Sequence, residues 1–298
     1  MFLYYTEPDG DKTKNRIYRY QWDGTGSLTG GTLILDLPGE PGTNHDGGKM
    51  TIGPDDMLYA VIGDLNREGV LQNNMSGPAP DDTSVIFRVD YNGKGVGNPL
   101  SGAANLSKYY AYGVRNSFGF DFDPLTGTLW DAEDGPADYD EINVVKPGFN
   151  SGWNKVMGPL DREGISINDL VQFQGSHYAD PVFSRGESIG ITDIEFLDST
   201  RLGERFARNL FVADANNGNL YFFTLNSNRT GLDLGSIEGL EDLVADSSEE
   251  VKAVTFGTRF PGGITDIETG PDGLLYVLTF SGNLYRISPV SANENEPE

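Results

Sequence analysis

Hydrophobic and polar residues alternate along most of the chain in short segments, which glycine, proline and aspartate separate. A leucine followed by aromatic or aliphatic residues recurs five times, at residues 3–5, 58–60, 129–131, 210–212 and 275–277. Alternation with a period of two between turn residues is typical of half-buried β-strands. The sequence therefore predicts an all-β chain of short antiparallel strands with few helices.

Turn sequences and second strands accompany these segments and extend them into a repeated unit. Turns such as Gly53-Pro54-Asp55 precede the later copies, and further alternating strands follow most of them, at residues 16–20, 85–89, 219–223 and 283–287. Repeated units of three or four antiparallel strands predict a β-propeller. We expect about five blades, of which the N-terminal one lacks its innermost strand. A β-sandwich with accidental similarity between the copies is the alternative.

No linker divides the chain, so we expect one propeller domain over residues 1–290. Residues 291–298 form a polar, acidic tail that we expect to be disordered. No apolar run is long enough to span a membrane. A strand is predicted to begin directly after Met1, without the basic and apolar segments of a signal peptide. We therefore expect that an upstream segment is missing or was never encoded.

The composition excludes several classes of function. The chain of 298 residues has 45 acidic and 21 basic residues, a formal charge of −24. Nucleic acid is excluded as a partner, because a phosphate backbone requires a positive field. The absence of cysteine rules out disulfides and thiolate metal sites.

One of the two histidines occupies a glycine-rich loop ahead of a predicted strand. In a propeller, the loop before an innermost strand opens at the mouth of the channel. Histidine has an ordinary pKa of about 6.5, which suits a proton acceptor near neutral pH. His45 is therefore a candidate general base for a substrate hydroxyl, provided that another group accepts the hydride. A histidine that only hydrogen-bonds its own turn is the alternative.

Two further segments carry candidate chemistry. Arg115 and Asn116 enter a predicted innermost strand and suit a carboxylate or a developing oxyanion; pairing of Arg115 with an acidic residue is the alternative. Residues 131–141 hold six carboxylates around a Gly-Pro turn, and oxygen ligands at this density suit Ca²⁺. That segment lacks the spacing of an EF-hand, and a solvated acidic loop is its alternative.

Taken in order, these segments resemble the soluble quinoprotein glucose/sorbosone dehydrogenase family, the pyrroloquinoline quinone-dependent aldose sugar dehydrogenases. The matching stretches are residues 44–49, 112–116, 133–136 with 140–143, and 147–153. The resemblance implies a six-bladed propeller fold, of which the first blade has no counterpart here. It also implies a periplasmic or extracellular location, a sugar as substrate and an external electron acceptor.

The resemblance also implies roles for individual residues. His45 would be the general base for the anomeric hydroxyl while a hydride passes from C1 to the quinone. Arg115 and Asn116 would contact the quinone oxygens, with Asn44 and Lys49 completing the cofactor-binding set. The carbonyls of Gly135 and Pro136 would bind the Ca²⁺ of the cofactor. Glu141 and the carbonyl of Ser151 match a second, structural calcium position.

The chain departs from the family at its cofactor anchors. Residues 262–267 stand where the family has an arginine-rich strand, and residues 214–218 stand where it has a lysine. The cofactor carries three carboxylates, for which Arg115, Lys49, Arg185 and Arg259 are the candidate cations. These departures favour a second function, a non-catalytic, calcium-stabilised propeller that binds carbohydrate or protein.

Overall fold

The computed structural model describes residues 1–41, 44–102 and 106–290 of the chain. Its helices are short: α1 (Leu160–Glu163), α2 (Ser248–Val254) and single 3₁₀ turns at Val70–Gln72, Leu106–Lys108 and Ile167–Asp169. The prediction of an all-β fold with few helices is confirmed. Within the described residues the strands are β1 (Phe2–Asp9), β2 (Lys12–Trp22), β3 (Leu28–Pro38), β4 (Met50–Ile52), β5 (Leu58–Ile62), β6 (Val85–Val89), β7 (Tyr109–Tyr112), β8 (Ser117–Phe122), β9 (Leu129–Glu133), β10 (Asp138–Val145), β11 (Phe149–Asn150), β12 (His177–Tyr178), β13 (Phe183–Glu187), β14 (Ile191–Phe196), β15 (Leu210–Asp214), β16 (Leu220–Phe223), β17 (Val244–Ala245), β18 (Thr255–Gly257), β19 (Ile264–Thr269), β20 (Leu275–Thr279) and β21 (Leu284–Arg286).

The turns that the sequence repeat predicts connect several of these strands. Between β4 and β5, the Asp56 N–H donates to the Gly53 carbonyl at 3.0 Å. Between β19 and β20, the Gly273 N–H donates to the Gly270 carbonyl at 2.8 Å. Asp56 and Gly273 both have positive φ angles, 61° and 73°. Aspartate and glycine tolerate this left-handed conformation better than most residues, which explains why they recur in the turn.

The first of two compact units comprises Met1–Phe118 and Val145–Pro181. It contains a three-stranded sheet in the order β1-β2-β3 and a six-stranded sheet in the order β12-β11-β7-β6-β5-β4. All five residues of β5 are buried because the strand lies between β4 and β6. Its core is apolar and aromatic, and includes Ile17, Leu37, Leu58, Ile62, Phe87 and Tyr109.

The second unit comprises Gly119–Val144 and the chain from Val182 onward. Its sheets have the orders β17-β13-β10-β9-β8, β14-β15-β16-β18 and β19-β20-β21. The central strand β15 is buried along its whole length. Two apolar clusters support these sheets, one around Trp130, Phe183 and Val212, the other around Phe211, Leu220 and Val277.

No helix in the described part of the chain is long and apolar enough to cross a membrane. The number of blades, the incomplete N-terminal blade and the single domain over residues 1–290 stay predictions. The predicted disordered tail, residues 291–298, lies outside the described residues.

Candidate active site

His45 lies in the loop before β4 and has a φ angle of 65°. Residues with a side chain rarely adopt this conformation, and such strain is concentrated at functional sites. The next residue anchors the loop: the Asp46 carboxylate accepts from Asn15 Nδ2 at 2.7 Å, and its carbonyl accepts from the Tyr4 hydroxyl at 2.6 Å. The surrounding sheet therefore holds His45 in a strained but fixed position.

The imidazole of His45 is paired with a carboxylate at the end of β5. His45 Nδ1 lies 2.6 Å from Asp64 Oδ1, which also accepts the Asn66 N–H at 2.9 Å. The second oxygen, Oδ2, accepts from the indole Nε1 of Trp153 at 2.8 Å. The side chains of His45 and Asp64 are only 12% and 4% exposed. Asp64 thus accepts three hydrogen bonds in a nearly closed site.

The pKa of Asp64 lies below its ordinary value. Burial acts to raise this pKa, but the hydrogen bonds from His45, the Asn66 N–H and Trp153 outweigh burial. Asp64 is therefore ionised at neutral pH and can only accept hydrogen bonds. It follows that His45 Nδ1 carries a proton and donates it to Asp64, which leaves the lone pair of the neutral imidazole on Nε2.

A glycine allows the backbones of His45 and Arg115 to approach the end of β5 together. The Gly63 N–H donates to the His45 carbonyl at 3.0 Å, and the Asp64 N–H donates to the Arg115 carbonyl at 2.9 Å. A Cβ atom at Gly63 would lie 2.4 Å from the Arg115 carbonyl and 2.7 Å from the His45 carbonyl. No other residue fits this position without displacing one of the two.

Trp153 contacts both charged side chains of this site. Its ring lies beneath the Arg115 guanidinium, with 5.4 Å from Cζ to the ring centroid, while its Nε1 donates to Asp64. A cation over an indole face is attracted by the ring quadrupole. The sequence identifies residues 147–153 only as a matching stretch, and it assigns no role to Trp153 or to Asp64.

Two buried asparagines hold the Trp153 segment in place. Asn73 Nδ2 donates to Asn150 Oδ1 at 3.0 Å, and Asn150 Nδ2 returns a bond to Asn73 Oδ1 at 2.8 Å. Asn73 Nδ2 also donates to the Trp153 carbonyl at 2.7 Å. The Gly152 and Val171 N–H groups donate to the same two amide oxygens, at 3.1 Å and 3.0 Å. This amide pair therefore fixes the backbone that carries the indole.

The other predicted residues of the first unit lie close to His45, Arg115 or Trp153 in the sequence. Asn44 directly precedes His45 and is exposed, whereas Lys49 is half-buried and its carbonyl accepts the Val61 N–H at 3.2 Å. Asn116 follows Arg115 and is buried. Ser151 is also buried.

The remaining predicted metal ligands belong to the second unit. The Gly135 N–H donates to Asp140 Oδ1 at 2.9 Å, which fixes the turn after β9. A Cβ atom at Gly135 would lie 2.2 Å from the Asp138 carbonyl oxygen, so backbone oxygens crowd around this glycine. Pro136 is exposed, and Glu141 is buried on β10.

Backbone oxygens are the metal-binding groups that this turn offers. Across the described ranges, no group of three or more His, Asp or Glu side chains is arranged to hold a metal ion. Ca²⁺ accepts carbonyl oxygens as readily as carboxylates. The carbonyl-rich turn at Gly135 therefore fits Ca²⁺ by its donor chemistry, as Arg115 and Lys49 fit a cofactor with carboxylates.

Comparison with known proteins relates the whole chain to sugar dehydrogenases. A family model described as Glucose / Sorbosone dehydrogenase matches residues 1–286. Aldose sugar dehydrogenase YliI of Escherichia coli (strain K12) is 25% identical over 271 residues, covering 87% of this chain. The chain spans only 64% of the length of that relative.

The names of two further relatives refer to a quinone cofactor. Quinoprotein glucose dehydrogenase B of Acinetobacter calcoaceticus is 31% identical over 165 residues, 47% of this chain and 34% of that protein. The PQQ-bound form of aldose sugar dehydrogenase from Streptomyces coelicolor has a similar fold, with a TM-score of 0.63 and 23% identity over 93% of this chain and 69% of that one.

Proposed function

This chain belongs to the glucose/sorbosone dehydrogenase family, and from that premise we propose that it oxidises an aldose sugar at C1 to its lactone. Pyrroloquinoline quinone would be the cofactor, with Ca²⁺ and an external electron acceptor. The observation that carries the proposal is the contact of 2.6 Å between His45 and Asp64. A periplasmic or extracellular location is part of the same proposal.

The ionised Asp64 makes His45 a base with a defined direction. Because Asp64 accepts the proton-bearing Nδ1, the free lone pair of His45 is on Nε2. Nε2 would take the proton of the anomeric hydroxyl, and Asp64 would stabilise the resulting imidazolium. The bond from Trp153 Nε1 keeps the Asp64 carboxylate from rotating away from His45.

The cations of the first unit supply the binding role. Arg115 is held against the Trp153 ring, and Lys49 lies just ahead of β4. In a chain with a net charge of −24, carboxylates of a cofactor need local positive groups. Arg115, Lys49, Asn44 and Asn116 would hold the cofactor in this part of the site.

The carbonyls of Gly135 and Pro136 would hold the Ca²⁺ of the cofactor. Glu141 in the second unit and the Ser151 carbonyl in the first are each proposed as a ligand for structural calcium. When bound, pyrroloquinoline quinone accepts the hydride from C1, and Ca²⁺ assists as a Lewis acid on the quinone.

A non-catalytic, calcium-stabilised propeller that binds carbohydrate or protein is the second candidate. It is favoured by the residues of the second unit at positions 214–218 and 262–267, which include no lysine or arginine. If those positions face the cofactor as the resemblance implies, its carboxylates lack there the cations that the family supplies.

The deciding experiment titrates the purified chain with pyrroloquinoline quinone and Ca²⁺, then adds glucose and an artificial dye acceptor. We expect quinone binding and dye reduction, both of which EDTA removes. The variant His45→Ala should retain quinone binding and lose turnover. A folded protein that binds no quinone would refute the dehydrogenase and favour the binding propeller, in which His45 only supports its loop.

A further inference from the structure

Two sheets of the second unit pack together through carboxylates and apolar side chains. On β14, Asp193 Oδ2 accepts the Ile267 N–H at 3.0 Å, and Glu195 Oε1 accepts the Thr269 N–H at 2.9 Å. Both donors belong to β19, the end strand of the sheet β19-β20-β21, which we call the last sheet. Apolar residues of β15 and β16 are fully buried in the same interface: Phe211, Ala213 and Leu220. The docking of the last sheet thus combines paired backbone donors with a buried apolar face.

The last sheet carries the same two carboxylates on its opposite face. Residues 191–195 and residues 264–268 have the identical sequence Ile-Thr-Asp-Ile-Glu. Ile267 is fully buried in the apolar cluster shared with β15, and successive side chains of a strand point to opposite faces of the sheet. Asp266 and Glu268 therefore lie on the face of the last sheet that points away from β14. They hold there the positions of the two docking carboxylates of β14.

The apolar part of the docking face is repeated as well, but there it is exposed. Leu278 lies opposite Asp266, and Leu284 lies opposite Leu278. In the preceding sheet Ala213 lies opposite Leu220 in the same way, and both are fully buried. Leu278 is 38% exposed and Leu284 is 65% exposed. A face that one sheet buries against its neighbour is thus repeated, without such cover from the described residues, on the last sheet.

The sheet β1-β2-β3, which we call the first sheet, also has an exposed apolar face. Leu3 lies opposite Tyr18, and Tyr18 lies opposite Leu33. Leu3 and Leu33 are 36% and 43% exposed, and Trp22 at the end of β2 is 53% exposed. In the described residues between β3 and β19, large exposed apolar side chains occur singly along the chain: Ile52, Met75, Val96, Phe118, Leu125, Ile167 and Leu243. Grouped apolar side chains at the surface are typical of interaction sites.

The open edge of the first sheet presents backbone donors like those that β19 offers to β14. Among the described strands, β1 has β2 as its one neighbour. The Tyr20 N–H donates to the Met1 carbonyl at 2.8 Å, so Met1 and every second residue after it bond to β2. The N–H groups of Phe2, Tyr4 and Thr6 therefore point away from β2. Their spacing of two residues equals that of the two β19 donors that β14 accepts.

We propose that the outward face of the last sheet binds the exposed face of the first sheet in a second copy of this chain. Asp266 and Glu268 would accept N–H groups from the edge of β1, and Leu278 with Leu284 would pack on the row that contains Leu33. The two faces differ, so the contact is heterologous and each added copy leaves one face of each kind exposed. The inference goes beyond the proposed dehydrogenase activity and requires neither its cofactor nor its acceptor.

Sedimentation velocity of the whole chain over a range of concentrations tests the proposal. We expect concentration-dependent association that strengthens with added salt, because salt screens the repulsion between copies that each carry a formal charge of −24. Leu284→Lys places a charge on the outward face, and Leu125→Lys makes the same change at a turn residue that is 60% exposed. Leu284→Lys should weaken association about tenfold or more, and Leu125→Lys should leave it unchanged. A chain that stays monomeric at every concentration, or equal effects of the two variants, would overturn the proposal.

Mixing two variants distinguishes this contact from one between two identical faces. Leu33→Lys places a charge on the face of the first sheet, at a position that is exposed and should tolerate it. Neither Leu33→Lys nor Leu284→Lys alone should associate, because each variant lacks one of the two faces. An equimolar mixture retains one intact face of each kind and should form a dimer of one copy of each that does not grow further. Association of Leu33→Lys alone, or a mixture that stays monomeric, would contradict the contact.

Discussion

One oxygen of the Asp64 carboxylate accepts a hydrogen bond from the imidazole of His45 at 2.6 Å, and the other accepts one from the indole of Trp153 at 2.8 Å. Both oxygens of the carboxylate are thus needed as acceptors. Neutral histidine has two tautomers, and this arrangement stabilises the one that has its lone pair on Nε2. The tautomer of the proposed base is therefore set by Asp64.

Replacing Asp64 by asparagine should impair turnover far more than cofactor binding. An amide offers one acceptor and one donor group, so either His45 or Trp153 would face a donor where it now has an acceptor. We expect kcat to fall by about 10³-fold or more, as for other histidine bases that lose their orienting carboxylate. Steady-state kinetics with the dye acceptor measure this. Asp161→Asn, at an exposed residue of α1, is the matched control.

The same variant should reveal the lowered pKa of Asp64 through stability. A carboxyl whose pKa is lower in the folded protein than in the unfolded chain adds stability above the unfolded pKa, and this is lost as the pH falls through the folded pKa. Asp64→Asn should thus be less stable than the wild type by about 1–3 kcal/mol at neutral pH. The difference should shrink below the ordinary aspartate pKa, as measured by urea unfolding at each pH. A gap that is independent of pH would contradict the assignment.

Gly63→Ala should destabilise the first unit and disturb its site. The added methyl group would meet the carbonyls of Arg115 and His45 at 2.4 Å and 2.7 Å, and backbone atoms cannot rotate aside. Such overpacking typically costs about 1–3 kcal/mol. Gly235→Ala is the control, since a Cβ atom there meets nothing within 4 Å. Similar melting temperatures for the two variants would show that the loop at Gly63 is not tightly held.

Glu195→Gln should stabilise the protein at alkaline pH. Burial and then repulsion from Asp121 raise the pKa of Glu195 to about 9, while its Oε1 accepts the Thr269 N–H at 2.9 Å. The stability that this proton provides is complete below the unfolded pKa and is lost as the pH rises toward the folded one. Glutamine keeps the acceptor and does not titrate. Its advantage should grow to the order of 2 kcal/mol at high pH.

Thermal unfolding of Glu195→Gln across the pH range checks this expectation. Glu204→Gln, at an exposed glutamate, controls for the loss of one negative charge. If both variants gain equally with rising pH, the effect is general charge repulsion, and the burial of Glu195 is not its cause.

The strands were predictable because their signals are local. The five repeated segments lie in β1, β5, β9, β15 and β20, where alternating side chains and adjacent turns act within a few residues. The hydrophobic pattern does not predict the helix α2, although Ser247 and Glu250 form a capping box at its N-terminus. Acidic residues are so frequent in this chain that the pattern was not distinctive there.

The contacts of the site depend on distant residues and could not be predicted from the sequence alone. Asp64 lies 19 positions after His45, and Trp153 lies 89 positions after Asp64. A Gly-Asp pair at the end of a buried strand was the available signal for Asp64, but aspartates follow many strands of this chain. Arg185 is a candidate cation for the cofactor, yet only the packing of β13 shows that it is buried.

The reciprocal hydrogen bonds of Asn73 and Asn150 couple the local unfolding of two stretches of the chain, those around Gly152 and Val171. The amide protons of Gly152 and Val171 both point at oxygens of this pair, so neither can reach water until the pair separates. We therefore expect their hydrogen–deuterium exchange to follow one shared opening event rather than two local ones. We accordingly expect the segment that carries Trp153 to open together with the sheet to which Asn150 belongs, although this segment is a loop.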